Sequence, residues 1–222
     1  MKKRVLPAFI ALGLLVSCFD GNAQAFKKEI DAFMKSDSLS MPASGGILFV
    51  GSSSFTKWVD IKEYFPGYPI INRGFGGSSL PDVINYAEQA IVKYKPKQIY
   101  IYCGENDIAG SDAVTADTVL NRFKQLYSII KKNLNKRTDI VFVSIKPSVS
   151  RWKLEQKFNE ANALIKNFIE SERHIIFLDV HTAMLEADGM VKKNIFIQDQ
   201  LHMNAAGYKI WQGIIAPTLS KK

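Results

Sequence analysis

The sequence predicts an α/β domain, a flavodoxin-like three-layer α/β/α sandwich around a central parallel sheet of about five strands. Three observations carry this expectation. Five short apolar runs recur along the chain. Each is nearly continuously apolar, as strands covered on both faces must be. Segments with apolar residues at helical spacing lie between the later runs. Strands alternating with helices require a parallel sheet with right-handed crossovers, and such sheets take ligands in the crevice beyond the strand C-termini.

The first 25 residues stand apart from that domain. Lys2-Lys3-Arg4 precede the apolar run VLPAFIALGLLV, and Ala23-Gln24-Ala25 follows as a small-residue cleavage site. A charged n-region, a short h-region and A-x-A read as a secretory signal, too short to span a bilayer. Leu15-Val16-Ser17-Cys18 offers an alternative, because it resembles a bacterial lipobox whose cysteine would be lipidated and become the new N-terminus. Cleavage after Ala25 is favoured, since the A-x-A lies a normal distance past the h-region. Both readings export the protein, either to the periplasm or medium or as a membrane-anchored lipoprotein. Residues 26–222 are then expected to form a single domain.

Within it, Ile47–Val50 is the first strand, followed by Gly51-Ser52-Ser53-Ser54. Pro69–Asn72 is the second and leads into NRGFGGSS, residues 72–79. The segment LPDVINYAEQAIVKY is expected to be helical, with Pro81 near its start and Val83, Ile84, Ala87, Ala90 and Ile91 on one face. Gln98–Cys103 is the third strand, running into Gly104-Glu105-Asn106-Asp107. ADTVLNRFKQLYSIIKKNL repeats the helical pattern with Val119, Leu120, Phe123, Leu126 and Ile130. Ile140–Ile145 is the fourth strand. KLEQKFNEANALIKNFIE follows, with Leu154, Phe158, Ala161, Leu164 and Ile165 at helical spacing. After the fifth strand, Ile175–Val180, the quartet Asp199-Gln200-Leu201-His202 precedes a last helix over about 205–217 that offers Tyr208, Trp211 and Ile215.

Composition narrows the function classes. With 47% hydrophobic and 23% charged residues, 222 residues suffice for one core. The net charge of +8 falls to +6 once the signal removes three basic residues and one acid. The remaining lysines are scattered, so they read as a solvated surface and not as a nucleic-acid stripe. No later run approaches about 18 uninterrupted apolar residues, so no membrane span is expected. With Cys18 cut away or lipidated, Cys103 has no intrachain partner and reads as a small buried thiol.

Several motifs are set aside on their chemistry. GFGGSS lacks the third glycine of a dinucleotide fingerprint, and no Gly-Lys-Ser/Thr follows the serine loop to make a P-loop. His174 and His181 have no ligand-spaced partners for zinc. EADGM, residues 186–190, is too short for a calcium loop. Trp58 and Trp152 read first as packing residues, although their places after the first and fourth strands allow sugar stacking.

Four signals remain, on loops after the first three strands and before the last helix. In a doubly wound sheet such loops converge, and together they supply a hydroxyl, amide donors, an imidazole and a carboxylate. Those are the parts of serine-based acyl transfer. A serine hydroxyl needs a base within hydrogen-bond reach. His202 can serve if its other ring nitrogen is held as a donor, and Asp199, three residues earlier, can reach that nitrogen within one turn. A developing oxyanion wants close backbone approach, which glycine permits, and an asparagine amide. Singly each motif is weak; all four in order at one sheet edge favour the catalytic reading.

In order and over nearly the whole mature chain, these four blocks resemble those of the SGNH hydrolases, the GDSL family. The resemblance implies that Ser53 is the nucleophile, Gly77 and Asn106 contribute to the oxyanion hole, and Asp199 and His202 complete a triad, with no cofactor or metal. It departs from the family where Gly51-Ser52 replaces Gly-Asp, which bears on loop rigidity and leaves the choice among three serines to alignment. The expected function is an exported serine esterase acting on small acyl esters, O-acetyl groups on carbohydrates first. A lysophospholipase or thioesterase, and a catalytically silent glycan-binding relative, are the alternatives. The expected partner is a small-molecule or glycan ester, without nucleic acid.

Overall fold

The strands are β1 (Ile47–Gly51), β2 (Ile70–Gly74), β3 (Gln98–Tyr102), β4 (Asp139–Val143) and β5 (Ile175–Leu178). In a computed structural model, which describes residues 25–220, they form one parallel sheet in the order β2-β1-β3-β4-β5. This is the flavodoxin-like order. The chain runs outward one way from β1 to β2 and the other way through β3, so the switch point lies at the C-terminal ends of β1 and β3. The expected signal segment, all but its last residue, and Cys18 lie outside the described residues.

Side chains alternate along each strand, so every strand serves two cores. Leu48, Val50, Ile99, Ile101, Ile140 and Phe142 face one side. There they meet α1 (Lys27–Leu39), α4 (Leu80–Asn85), α5 (Ala87–Ala90), α7 (Ala116–Asn133) and α8 (Glu155–Glu170). Ile47, Phe49, Tyr100, Tyr102, Val141 and Val143 face the other. The helices there are α2 (Ser53–Thr56), α3 (Ile61–Tyr64) and α9 (Ala205–Ile215). The remaining helix, α6 (Glu105–Gly110), follows β3 directly.

The second core is aromatic. Phe49 stacks on Tyr100 with ring centroids 4.6 Å apart, and Trp58 stacks on Tyr208 at 4.8 Å. Trp211 meets Phe55 and Tyr102 edge-on. Each such pair contributes about 0.5–1.5 kcal/mol beyond its area burial. Trp58 is fully buried, which settles it as a packing residue, while Trp152 is partly buried. This core joins α2, just after β1, to α9 near the end of the chain.

The expected helix over residues 80–94 is broken. Tyr86, at φ −103° and ψ 19°, ends α4 and begins α5, and a 3-10 turn at Val92–Tyr94 follows. With that bend Val83, Ala87, Ala90 and Ile91 all reach the first core. The expected helix from Lys153 instead begins at Glu155, after a 3-10 turn at Trp152–Leu154.

Helix α1 is not among the expected elements; it buries Ile30 and Asp37, and Phe33 packs partly buried against the first core. Asp37 fixes it to the body through Arg73 (2.5 Å), Lys93 (2.6 Å) and the Tyr94 hydroxyl (2.6 Å). Burial pushes the Asp37 carboxyl up, but those donors outweigh it and hold it below its ordinary value.

Candidate active site

The loop after β1 is shaped by one glycine. Gly51 has φ +131°, and a Cβ there would stand 2.0 Å from the Tyr102 carbonyl oxygen. Only glycine lets β1 end this close to β3. Ser52 N–H then donates to Tyr102 O at 3.0 Å, and Ser52 O accepts from Phe55 N–H at 3.0 Å, opening α2. Both ends of the Ser52 backbone are therefore hydrogen-bonded, one to β3 and one to α2. From β2, the Asn72 amide donates to Phe55 O (2.8 Å) and accepts from Gly74 N–H (2.9 Å), which holds the far end of α2.

The three serines are not equivalent. Ser52 and Ser54 are each 3% exposed, and the Ser54 carbonyl accepts from the Tyr208 hydroxyl at 3.0 Å. Ser53 is partly exposed, and its Oγ lies 2.9 Å from His202 Nε2. His202 Nδ1 lies 2.5 Å from Asp199 Oδ2. A carboxylate only accepts, so Nδ1 carries the ring proton and Nε2 is left to accept from the Ser53 hydroxyl.

The turn that carries Asp199 and His202 is tightly specified. Asp199 Oδ1 accepts the N–H groups of Leu201 and His202, both at 2.9 Å. Partial burial raises the Asp199 carboxyl, but the His202 ring and these backbone donors overcome it and bring it down to about 2. Gln200 sits in the left-handed region at φ +56°, uncommon for a residue with a Cβ. Its carbonyl accepts Ser150 N–H (3.1 Å), and the Leu201 carbonyl accepts from Lys146 Nζ (2.8 Å). Two residues past His202, Asn204 caps α9 through the N–H groups of Ala206 and Gly207. Helix α9 in turn packs Tyr208 and Trp211 beside α2, bringing together residues 149 apart in sequence.

The other two predicted residues meet each other through Ser78. Gly77 is exposed, with φ +87°, and a Cβ there would meet nothing within 4 Å. The next carbonyl, Ser78 O, accepts from Asn106 Nδ2 at 3.0 Å. Asn106 Oδ1 accepts from Arg151 at 3.0 Å, so both ends of the amide are assigned by their partners. Asn106 lies in the first turn of α6 and not on a loop, because Gly104 at φ +109° turns the chain straight from strand into helix. Among the described residues, no hydrogen bond joins Gly77 or Asn106 to Ser53.

Behind these groups stands a polar cluster that the sequence motifs did not mark. Glu105 accepts from the Tyr102 hydroxyl (2.5 Å) and pairs with Lys146 (3.3 Å) and Arg151 (3.1 Å). Glu105 lies inside the third block, but nothing local singles out Lys146 in VSIKPS. Cys103 is buried, and burial pushes its thiol well up. Among the described residues, no three His, Cys, Asp or Glu side chains are grouped to hold a metal ion. No helix among them is long and apolar enough to cross a membrane.

The GDSL-like Lipase/Acylhydrolase family model matches residues 49–210. Among solved structures, a GDSL-like lipase from Bacteroides thetaiotaomicron superposes with a TM-score of 0.72 at 18% identity, over 85% of this chain and 96% of its own. A catalytic mutant of an acetylxylan esterase from Geobacillus stearothermophilus gives 0.63 at 16% identity, over 81% and 96%. At these identities the likeness establishes a shared fold. A curated N-acylneuraminate cytidylyltransferase from Escherichia coli is 25% identical over 172 residues, which are 77% of this chain. The chain spans 39% of that protein's length.

Proposed function

Because the chain belongs to the GDSL-like lipase/acylhydrolase family and is an ester-bond hydrolase, we propose that Ser53, His202 and Asp199 are its catalytic triad. The observation that carries the reading is the continuous relay from Ser53 Oγ through both His202 nitrogens to Asp199, at 2.9 and 2.5 Å. The acetylxylan esterase lends support, since its catalytic mutants replace a serine, an aspartate and a histidine three positions after that aspartate.

In this mechanism Ser53 Oγ attacks the ester carbonyl carbon while its proton passes to His202 Nε2. Asp199 stabilises the imidazolium and keeps its orientation. The carbonyl π pair moves onto oxygen, and the oxyanion is held by the second N–H of the Asn106 amide and the backbone N–H groups of Gly77 and Ser53. One such donor is worth about 2.7–4 kcal/mol in the transition state. Collapse breaks the bond to the alcohol oxygen, which takes the proton from His202. Water then attacks the acyl-enzyme, giving its proton to Nε2; the acyl carbon–Oγ bond breaks, Oγ takes that proton back from His202, and the acid leaves.

We place the substrate among small acyl esters of carbohydrates, with O-acetyl groups first. Two things support this: the acetylxylan esterase neighbours, and an open site, in which the Asp199 side chain is 42% exposed. Residues 1–25 support export, by cleavage after Ala25 or lipidation of Cys18. The direct test is labelling with a fluorophosphonate probe, wild type against Ser53→Ala. Labelling of folded wild type at Ser53, lost in the variant, is expected, and a silent wild type would end the serine-esterase reading. Acetylated xylooligosaccharides compared with p-nitrophenyl esters of rising chain length test the substrate. A preference that rises with acyl length would move the assignment toward a lipid ester.

A further inference from the structure

The cluster behind the site has a geometry that ion pairing alone does not require. The Lys146 side chain is 1% exposed and that of Glu105 5%, while Arg151 reaches solvent at 23%. Burying such charges costs several kcal/mol per ion before any pairing, and apolar replacements of similar volume commonly hold a fold as well. What apolar side chains could not supply is direction. Lys146 Nζ donates to the carbonyl of Leu201, the residue directly before His202, at 2.8 Å. Arg151 donates to Asn106 Oδ1 at 3.0 Å. Both cations share one anion, Glu105, which the Tyr102 hydroxyl holds from the end of β3.

We infer that Lys146 and Arg151 are positioning residues of the active site, Lys146 for the Asp199–His202 turn and Arg151 for the Asn106 amide, coupled through Glu105. The inference rests on the catalytic reading above. Lys146 has a specific task, because Gln200 holds the turn in a left-handed conformation that costs free energy. The donated bonds from Lys146 and from Ser150 N–H to two successive carbonyls, Leu201 and Gln200, offset that cost. Arg151 is a donor only, so it keeps Oδ1 of Asn106 turned inward. The Nδ2 group then faces Ser78 O with one N–H and has the other for the oxyanion. One buried carboxylate thus sets both the base and the electrophilic side of the site.

The test uses Lys146→Met, which keeps length and removes the donor, with p-nitrophenyl acetate as substrate. A misplacement of the base by about 1 Å predicts a kcat loss of ~10²-fold. Because ground-state binding is not touched, KM should stay within about 3-fold. The low-field proton resonance expected of His202 Nδ1–H in wild type should shift or vanish, which a merely structural lysine would not cause. Arg151→Met should lower kcat without moving that resonance. The double variant should lose less than the product of the two single losses, since both act through Glu105. If Lys146→Met does not fold, Glu105→Gln/Lys146→Met removes both buried charges and must lose at least ~10²-fold in kcat, since it also frees Arg151. A folded Lys146 variant with kcat within about 3-fold of wild type, or with the resonance unmoved, overturns the inference. Retained turnover in Ser53→Ala would instead overturn the catalytic reading, a failure visible without any Lys146 variant.

Discussion

Asp199→Asn separates orientation of the base from its charge. Asp199 Oδ1 accepts two backbone N–H groups, from Leu201 and His202, each at 2.9 Å. An asparagine in the same rotamer must turn its carbonyl oxygen toward those donors, since an NH2 group has nothing to accept with. Its NH2 then faces His202 Nδ1, where Asp199 Oδ2 stood at 2.5 Å. The ring proton moves to Nε2, which now donates to Ser53 Oγ and can no longer take its proton. In the Ser-His-Asp template that tautomer error costs about 10⁴ in kcat, or about 5.5 kcal/mol. Stability should change far less, because a carboxylate contact this exposed contributes about 0–1 kcal/mol. The assay is kcat on p-nitrophenyl acetate near neutral pH, with thermal unfolding of the same samples. The Asp199 carboxyl sits at about 2 against an ordinary 3.8, so its stabilisation is complete above 3.8 and lost as pH falls through about 2. Any acid loss of activity well above that range belongs to another group. A folded Asp199→Asn enzyme within about tenfold of wild type would refute the tautomer reasoning.

Other perturbations follow from the same structure. Gly51→Ala puts a Cβ 2.0 Å from Tyr102 O at φ +131°, so a loss on the order of 3 kcal/mol is expected in urea denaturation. Tyr208→Phe leaves the Ser54 carbonyl without its donor and should cost about 1–3 kcal/mol by the same measurement. His181 is buried, with Nδ1 2.8 Å from Ile145 O and Nε2 2.7 Å from Glu155 Oε1. Burial pulls its pKa down, but Glu155 and the Ile145 carbonyl outweigh it and raise it above 6.5. A raised histidine stabilises fully below its unfolded value and loses that contribution as pH rises through the folded one. The denaturation midpoint should therefore decline as pH rises above 6.5, and His181→Gln should flatten the decline.

The fold was legible because parallel strands covered on both faces leave continuous apolar runs, and all five strands fell where such runs lie. The placement of the four blocks was legible for a related reason, and among the described residues it joins Ser53, His202 and Asp199 by hydrogen bonds. Each follows a strand or precedes a helix, so a few residues of defined type must lie at one sheet edge. Local pattern could not reveal that Ser53 and not Ser52 or Ser54 meets His202, since burial of the neighbours depends on β3 and α9. It also missed α1, whose attachment is a buried carboxylate paired with residues 36 and 56 positions away. Lys146 was hidden for the same reason: its partners Glu105 and Leu201 lie 41 and 55 residues off. Polar contacts of that span leave no periodic trace.

The 149-residue separation of Ser53 and His202 also has a kinetic consequence. A chain emerging from its N-terminus holds Ser53 long before His202, and contacts of such span close late because loop entropy must be lost first. Docking of α9 on α2, which brings the Trp58 and Trp211 rings to 6.3 Å, is therefore expected late in folding. During refolding, tryptophan fluorescence and esterase activity should therefore recover in the same phase, after the parallel sheet has formed.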